Sequence, residues 1–335
     1  MKGGRLLGQG SFGCTFDPAP RCAGGPVFTR INGFPAVGKI TSEDSTQELE
    51  IGKTLMSLPM ATAYFALPSK GCKPEFPIRD PDGKQCKVLQ EDTDDENFSL
   101  LIMPNAGQTL LKYGMNLPVL GANLKRIFIH LLEGAIIYQN AGYVHNDIHM
   151  ANILVDGIGV PRYIDVGLTF NVDKIKSWED SGMGRTFKPK YNWQAPEVHT
   201  WRMHKSGIRL VDGVEQLMEL NPEFAQMERR FPSRKRYLEA MTDFLRAVGR
   251  ESDLGFLKTY AKQFDAWRIG LCLWFLWDDL LHSTSPAYAE SAAYKERDVI
   301  RTVCSGLTDF DPRTRLTVRQ ALTLLDPANR LSSPR

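Results

Sequence analysis

Apolar and polar positions fall into two textures along the chain. Up to about residue 103 the apolar runs are short and punctuated by glycine, which predicts strands and tight turns, above all in the first 40 residues. One helix interrupts them. Leu49, Ile51, Leu55 and Leu58 follow the polar stretch 42–46 at spacings that suit a short amphipathic helix. Residues 68–97 carry clusters of Pro, Gly, Asp and Lys and end in the acidic run 91–96. They predict a hairpin with a mobile loop, and the acidic run reads as a solvated face. A buried strand is expected at 99–103, stopped by Pro104. Past Gly107 the period changes. Leu124, Ile127, Phe128, Leu131, Leu132, Ala135 and Ile136 recur at helical spacing, and Gly142 supplies the stop. Apolar segments at 152–155 and 163–164 flank Asp-Gly-Ile-Gly and predict a second hairpin. Beyond 195 the pattern is mostly helical. Strands first and helices later, with a break near 104–107, predict an α+β chain in two lobes.

Composition narrows the function classes. The chain has 335 residues, enough for one large domain or two coupled ones. With 41 basic against 39 acidic residues the net charge is +2, which gives no global drive toward nucleic acid or anionic lipid. The longest apolar run, 269–277, falls far short of the roughly twenty residues a bilayer core needs. The start Met-Lys-Gly-Gly-Arg-Leu-Leu-Gly has no apolar segment before a small-residue cleavage site, so no cleaved signal peptide is expected. The cysteines at 14, 22, 72, 86, 272 and 304 show no C-x-x-C spacing, so zinc and thioredoxin-like readings find no support. Two pairs among the first four could bridge. Reduced thiols in a reducing, cytoplasmic compartment are the expectation.

Gly8-Gln9-Gly10-Ser11-Phe12-Gly13 matches G-x-G-x-x-G, where missing Cβ atoms let backbone N–H groups approach phosphate oxygens. The plain alternative is a glycine-rich hairpin. A dinucleotide fold would continue into a helix. Here Cys14-Thr15-Phe16-Asp17-Pro18 follows, which fits a strand–loop–strand lid over a nucleotide instead. Lys39 ends the apolar run Ala36-Val37-Gly38 and can reach α- and β-phosphates as a compact cation; its commoner fate would be solvent. If buried, it needs a carboxylate. Glu48, on the helix face of Ile51 and Leu55, is the first choice and Glu50 the second.

Residues 143–155 read Tyr-Val-His-Asn-Asp-Ile-His-Met-Ala-Asn-Ile-Leu-Val, and Ile-Asp-Val-Gly-Leu follows at 164–168. His145, Asp147, Asn152, Asp165 and Gly167 stand at spacings that resemble the catalytic loop H-R-D-L-x-x-x-N and the D-F-G motif of the protein kinases. Three later segments extend the resemblance over nearly the whole chain. Ala195-Pro196-Glu197 is similar to A-P-E, Asp265 to Gly270 resembles D-x-W-x-x-G, and Asp311 to Thr317 resembles D-P-x-x-R-x-T. The resemblance implies a bilobal kinase-like fold: a small sheet-rich N-lobe at 1–103, a hinge at 104–106 and a helical C-lobe at 107–335. It implies ATP and Mg²⁺ as cofactors. Asp147 would orient and deprotonate the acceptor hydroxyl, and Asn152 and Asp165 would hold the metal. Lys39, held by Glu48, would fix the phosphates under Gly8, Gly10 and Gly13. Val37, Met103 and Ala106 would border the adenine. Asp265 would support the catalytic-loop backbone, and Arg315 would pair with Glu197.

Departures from the family pattern bear on regulation and acceptor. Asn146 stands where the family has arginine, which implies independence from an activation-loop phosphate. His149 stands at the usual lysine, Val166 at the Phe of D-F-G, Thr15 at the loop Val, and Lys190 and Trp193 at the usual Thr and Tyr before A-P-E. The implied function is transfer of the γ-phosphoryl group to Ser/Thr hydroxyls of proteins. A choline- or aminoglycoside-like small-molecule kinase is the alternative, favoured by His-Asn-Asp-Ile-His-Met-Ala-Asn, and a pseudokinase scaffold is a third reading. The early Gly-Ser-Phe-Gly-Cys-Thr-Phe-Asp-Pro…Cys run and the divergent catalytic loop resemble serine/threonine kinases of large DNA viruses. The stretch 202–258 reads as an insertion. Within it 228–236 holds five basic residues in nine, a candidate dock for an acidic partner or simply a solvated helix surface. No membrane association and no strong nucleic-acid signal are expected.

Overall fold

A computed structural model of the chain describes residues 4–10, 13–42, 45–76, 86–91, 97–190, 193–230, 233–283 and 289–333, with backbone alone at 91 and 228–230. Ser11, Phe12, the run 92–96 and most of the loop expected to be mobile lie outside the described residues. In chain order the elements are β1 (Arg5–Gln9), β2 (Gly13–Asp17), β3 (Arg30–Ile31), β4 (Phe34–Thr41), α1 (Thr46–Met56), α2 (Ala61–Tyr64), β5 (Lys70–Cys72), α3 (Lys87–Glu91), β6 (Ser99–Pro104) and β7 (Gln108–Thr109). They continue with α4 (Leu110–Gly114), α5 (Leu117–Asn140), β8 (Tyr143–Val144), β9 (Ile153–Val155), β10 (Pro161–Tyr163) and β11 (Phe170–Asn171). The rest is helical: α6 (Pro196–Lys205), α7 (Leu210–Leu220), α8 (Pro222–Arg230), α9 (Arg234–Val248), α10 (Asp253–Leu281), α11 (Ala292–Lys295), α12 (Arg297–Leu307) and α13 (Val318–Leu325). No helix among the described residues is long and apolar enough to cross a membrane.

The chain divides into two compact units, Met1–Thr109 with Ile153–Gly167, and Leu110–Asn152 with Leu168–Arg335. The return of 153–167 to the first unit follows from strand pairing: β9 pairs antiparallel with β7 and with β10. The main sheet of the first unit is antiparallel, in the order β1-β2-β4-β6-β5. Its register puts Lys39 opposite Thr15 and Leu101, and Val37 opposite Met103. Alternation along a strand therefore gathers Thr15, Lys39, Val37, Leu101 and Met103 on one face. Val37, Leu101 and Met103 cluster there with Leu49 of α1, while Phe16, Ile40, Leu100 and Ile102 belong to a separate core cluster with Cys14 and Phe98.

The expectation of six reduced cysteines is corrected. Cys14 is bonded to Cys86 and Cys22 to Cys72, and only Cys272 and Cys304 are free. Sheet pairing brings the partners to Cα separations of 6.0 and 5.7 Å, inside the range a disulfide spans. Their sequence separations of 72 and 50 gave no local signal.

The second unit is built on α10. From Phe264 to Asp278 all of its side chains are buried, as suits a central helix that is apolar nearly all round. α5 begins before the expected start, at a cap where the Asn116 side chain accepts from Val119 N, with Pro118 in the first turn. Gly142 follows it with φ +81°. The stretch expected to be an insertion holds α7, α8 and α9. Of its basic segment, Arg234 pairs with Glu215 and Lys235 lies 3.8 Å from Glu239.

Candidate functional site

In the first unit, three charged side chains meet. Lys39 Nζ donates to Glu48 Oε1 and Oε2, both at 3.0 Å, and to Asp165 Oδ1 at 3.2 Å. Glu48 sits in the first turn of α1, on the buried face with Ile51 and Leu55, whereas Glu50 is exposed. Burial works to lower the lysine pKa, but the adjacent carboxylates of Asp165 and Glu48 outweigh it and hold the ammonium above its ordinary value. Asp165 has φ +57°, a conformation non-glycine residues avoid, and its Oδ1 also accepts from Gly167 N at 3.3 Å.

Gly8 lies in β1 and Gly13 in β2, which pair antiparallel, and Gly10 N donates to Gly13 O at 2.9 Å. The three glycines divide by reason. A Cβ on Gly13 would sit 2.3 Å from Ile40 O, so strand packing requires that glycine. At Gly8 and Gly10 a Cβ would meet no atom within 4 Å, so the space there is open. Val37, Met103 and Ala106 are all buried.

In the second unit, the catalytic-loop candidates converge on one carboxylate. Asp147 Oδ2 accepts from Asn152 Nδ2 at 3.0 Å, and His149 Nε2 lies 3.8 Å away. Asp147 Oδ1 accepts from Arg268 Nη1 at 3.3 Å. Beneath the loop, the fully buried Asp265 accepts at Oδ2 from His145 N (2.8 Å) and Tyr138 Oη (2.9 Å), and at Oδ1 from Asn146 N (2.9 Å). Burial pushes its pKa up against the pull of His145 and these amides. Asn146 carries φ +59°, so the two captured amides belong to a turn in the left-handed region. The His149 ring lies 6.2 Å from that of Trp193, itself at φ +64° and edge-on to Phe275. Farther along, Arg315 grips Glu197 with two bonds of 2.7 Å, both side chains fully buried.

No protein-family profile matches the chain. Among curated proteins it is 24% identical over 249 residues to a Dictyostelium discoideum protein named "Probable serine/threonine-protein kinase fhkA", covering 68% of this chain and 36% of that protein. It is 32% identical over 111 residues to mitogen-activated protein kinase kinase kinase 1a of Physcomitrium patens, 32% of this chain and 13% of that one. To kinase kinase kinase 1b of the same organism it is 37% identical over 68 residues, or 20% and 8% of the two chains. The chain is similar to serine/threonine protein kinases. It spans about a third of fhkA and less of the other two.

The candidate site residues divide between the units. Lys39, Glu48, Asp165, Val37, Met103, Ala106 and the glycines fall in the first, and Asp147 and Asn152 in the second. Sequence reasoning missed Arg268. It stands three residues after Asp265 at the edge of the longest apolar run in the chain, a position that by itself does not point to Asp147.

Proposed function

We propose that the chain is an ATP- and Mg²⁺-dependent protein kinase that transfers the γ-phosphoryl group to serine and threonine hydroxyls of protein substrates. The observation that carries this reading is Lys39 held between Glu48 and Asp165, two carboxylates 117 positions apart in sequence, with its charge reinforced by both (165 − 48 = 117). A cation fixed in this way is a preorganised partner for phosphate oxygens. The residue types fit the metal: Asp165 and Asn152 each carry an oxygen ligand of the kind a hard cation takes. The open space at Gly8 and Gly10 fits backbone approach to phosphates. Bound Mg²⁺ supplies neutralisation of charge on the phosphate oxygens. Lys39 holds the nucleotide phosphates, and Val37, Met103 and Ala106 border the base next to a hinge at 104–106. Asp147 orients the acceptor hydroxyl and takes its proton at a carboxylate oxygen. Within the kinases we propose a likeness to those of large DNA viruses, supported by the early Gly-Ser-Phe-Gly-Cys-Thr-Phe-Asp-Pro run and the divergent catalytic loop.

The test is transfer of labelled phosphate from ATP–Mg²⁺ by the purified chain to casein or a basic protein, against choline and aminoglycosides as acceptors. Incorporation into protein that falls at least about a thousandfold in Asp147→Asn, with the melting temperature kept, is the expected result. Incorporation into the small acceptors alone would replace the protein-kinase reading. Undiminished transfer by Asp147→Asn would sink the assignment of the site.

A further inference from the structure

We infer that Arg268 is a positioning residue for Asp147 and brings to the catalytic loop a positive charge that the loop itself does not carry; the inference rests on the kinase reading of the site. Residues 143–155 contain no lysine or arginine. The guanidinium on Asp147 arrives instead from α10, where the Arg268 side chain is fully buried. A buried guanidinium needs a carboxylate, and removing one partner leaves the other charge unpaired. Among the described residues Arg268 Nη1 donates to Asp147 Oδ1, while Nε and Nη2 have no hydrogen-bond partner. The remaining charge-bearing neighbours do not replace Asp147. His199, nearby, is held neutral by burial and by the two arginines Arg202 and Arg268. Asp265 is committed to two loop amides and Tyr138.

The helix geometry makes the arrangement a unit. Asp265 and Arg268 are three residues apart and so share a face of α10. Asp265 holds the backbone at 145 and 146, and Arg268 holds the side chain at 147. One rigid helix thus fixes both the turn and the rotamer of its carboxylate. Arg268 takes Oδ1 and Asn152 takes Oδ2, so the carboxylate plane is set from both sides. Groups locked from two directions are the ones that keep a productive angle toward an acceptor.

The experiment compares wild type, Arg268→Met and Arg268→Lys in the full chain, with kcat and the KM for ATP measured separately and folding checked by thermal melting. Arg268→Met is expected to lower kcat about a hundredfold with KM for ATP within about threefold, because the residue acts on the acceptor-side carboxylate and not on nucleotide. Arg268→Lys keeps charge but not the planar fork, and is expected to recover part of the loss, to about tenfold below wild type. Either variant, folded and turning over within about twofold of wild type, overturns the inference. If the methionine variant does not fold, the lysine variant decides by the same criterion. A readout without turnover separates this from the kinase reading itself. In protein with ¹⁵N-labelled arginine, the Arg268 Nη signals are expected to be split by hindered rotation in wild type and averaged in Asp147→Asn. Split signals with no phosphate transfer would overturn the kinase reading alone. Averaged signals in an active wild type would overturn the positioning role alone.

Discussion

The first unit of the chain joins Cys14 to Cys86 and Cys22 to Cys72, while in the second Cys272 and Cys304 stay free and buried. The contrast follows what each part can bury. The first unit's sheet ends in β1, whose side chains are mostly exposed, and its core divides into separate clusters, with Phe16 and Phe98 as the large buried rings of one and Val37, Leu101 and Met103 making another. The second encloses Trp201, Trp267, Tyr237, Phe128 and Phe224 completely. Large rings bring 150–250 Å² each into a core, so that unit stabilises itself by burial, whereas a cross-link acts mainly by restricting the unfolded chain. The lesson is that two units stabilised by different means should lose their structure under different conditions.

Reduction should expose the difference most strongly. Loops of 72 and 50 residues make each disulfide worth about 2–4 kcal/mol, so losing both costs the first unit about 4–8 kcal/mol. Calorimetry with and without a dithiol reductant should show a transition that moves down in temperature and one that does not. Cys14→Ser with Cys22→Ser should reproduce the shift without reductant. A trace indifferent to the reductant would mean that these thiols do not pair in the protein.

Breaking the buried ion pair should hit the other unit. Arg315 bonds Glu197 twice and also donates to the carbonyls of Asp309, Gln263 and Phe310, under the ring of Trp267. Glu197→Gln leaves that guanidinium uncompensated in a site with no solvent, at a cost of about 3–5 kcal/mol. Urea unfolding should register the loss, and the reductant-sensitive transition should stay where it was. A cost below about 1 kcal/mol would show that the pair is not buried in solution.

How much of this was legible in the sequence depends on the range over which each feature is encoded. The period change near 104–107, the hairpin around Asp-Gly-Ile-Gly and the helix ended by Gly142 are local, and pattern alone places them. Glu48 was singled out for Lys39 by its place on the helix face of Ile51 and Leu55, and the Arg315–Glu197 contact by the family resemblance, whose fixed offsets stand in for distance. The disulfides had neither support. Their partners meet only after β2, β5 and β6 have paired, and the redox prior for an ordinary composition pointed the other way. Arg268 was hidden differently. An arginine beside an apolar run reads as a helix boundary, and only the loop folding back onto α10 turns it inward onto Asp147. Long-range pairs without a motif are what composition and period cannot supply.

The smallest of these effects is also the most selective. His199 of α6 is buried edge-on between Phe187 and Phe224, and neither ring nitrogen has a hydrogen-bond partner among the described residues. Burial first, then Arg202 and Arg268, lower its pKa to about 3. The folded chain therefore keeps this imidazole neutral, while the unfolded chain takes up a proton near 6.5. Between those values the unfolded state binds more protons, so the contribution is complete above pH 6.5 and is lost as pH falls toward 3. At pH 5 the loss is about 2 kcal/mol, from some 1.5 pH steps of about 1.4 kcal/mol each. His199→Leu removes the titrating group and keeps an apolar side chain between the two rings. The stability difference between wild type and this variant should shift by about 2 kcal/mol in the variant's favour between pH 7 and pH 5. The shift should appear in the transition that ignores reductant, since His199 belongs to the second unit. A difference that stays constant with pH would mean that the imidazole finds a proton acceptor or water in solution, and the dry aromatic setting around α6 would have to be redrawn.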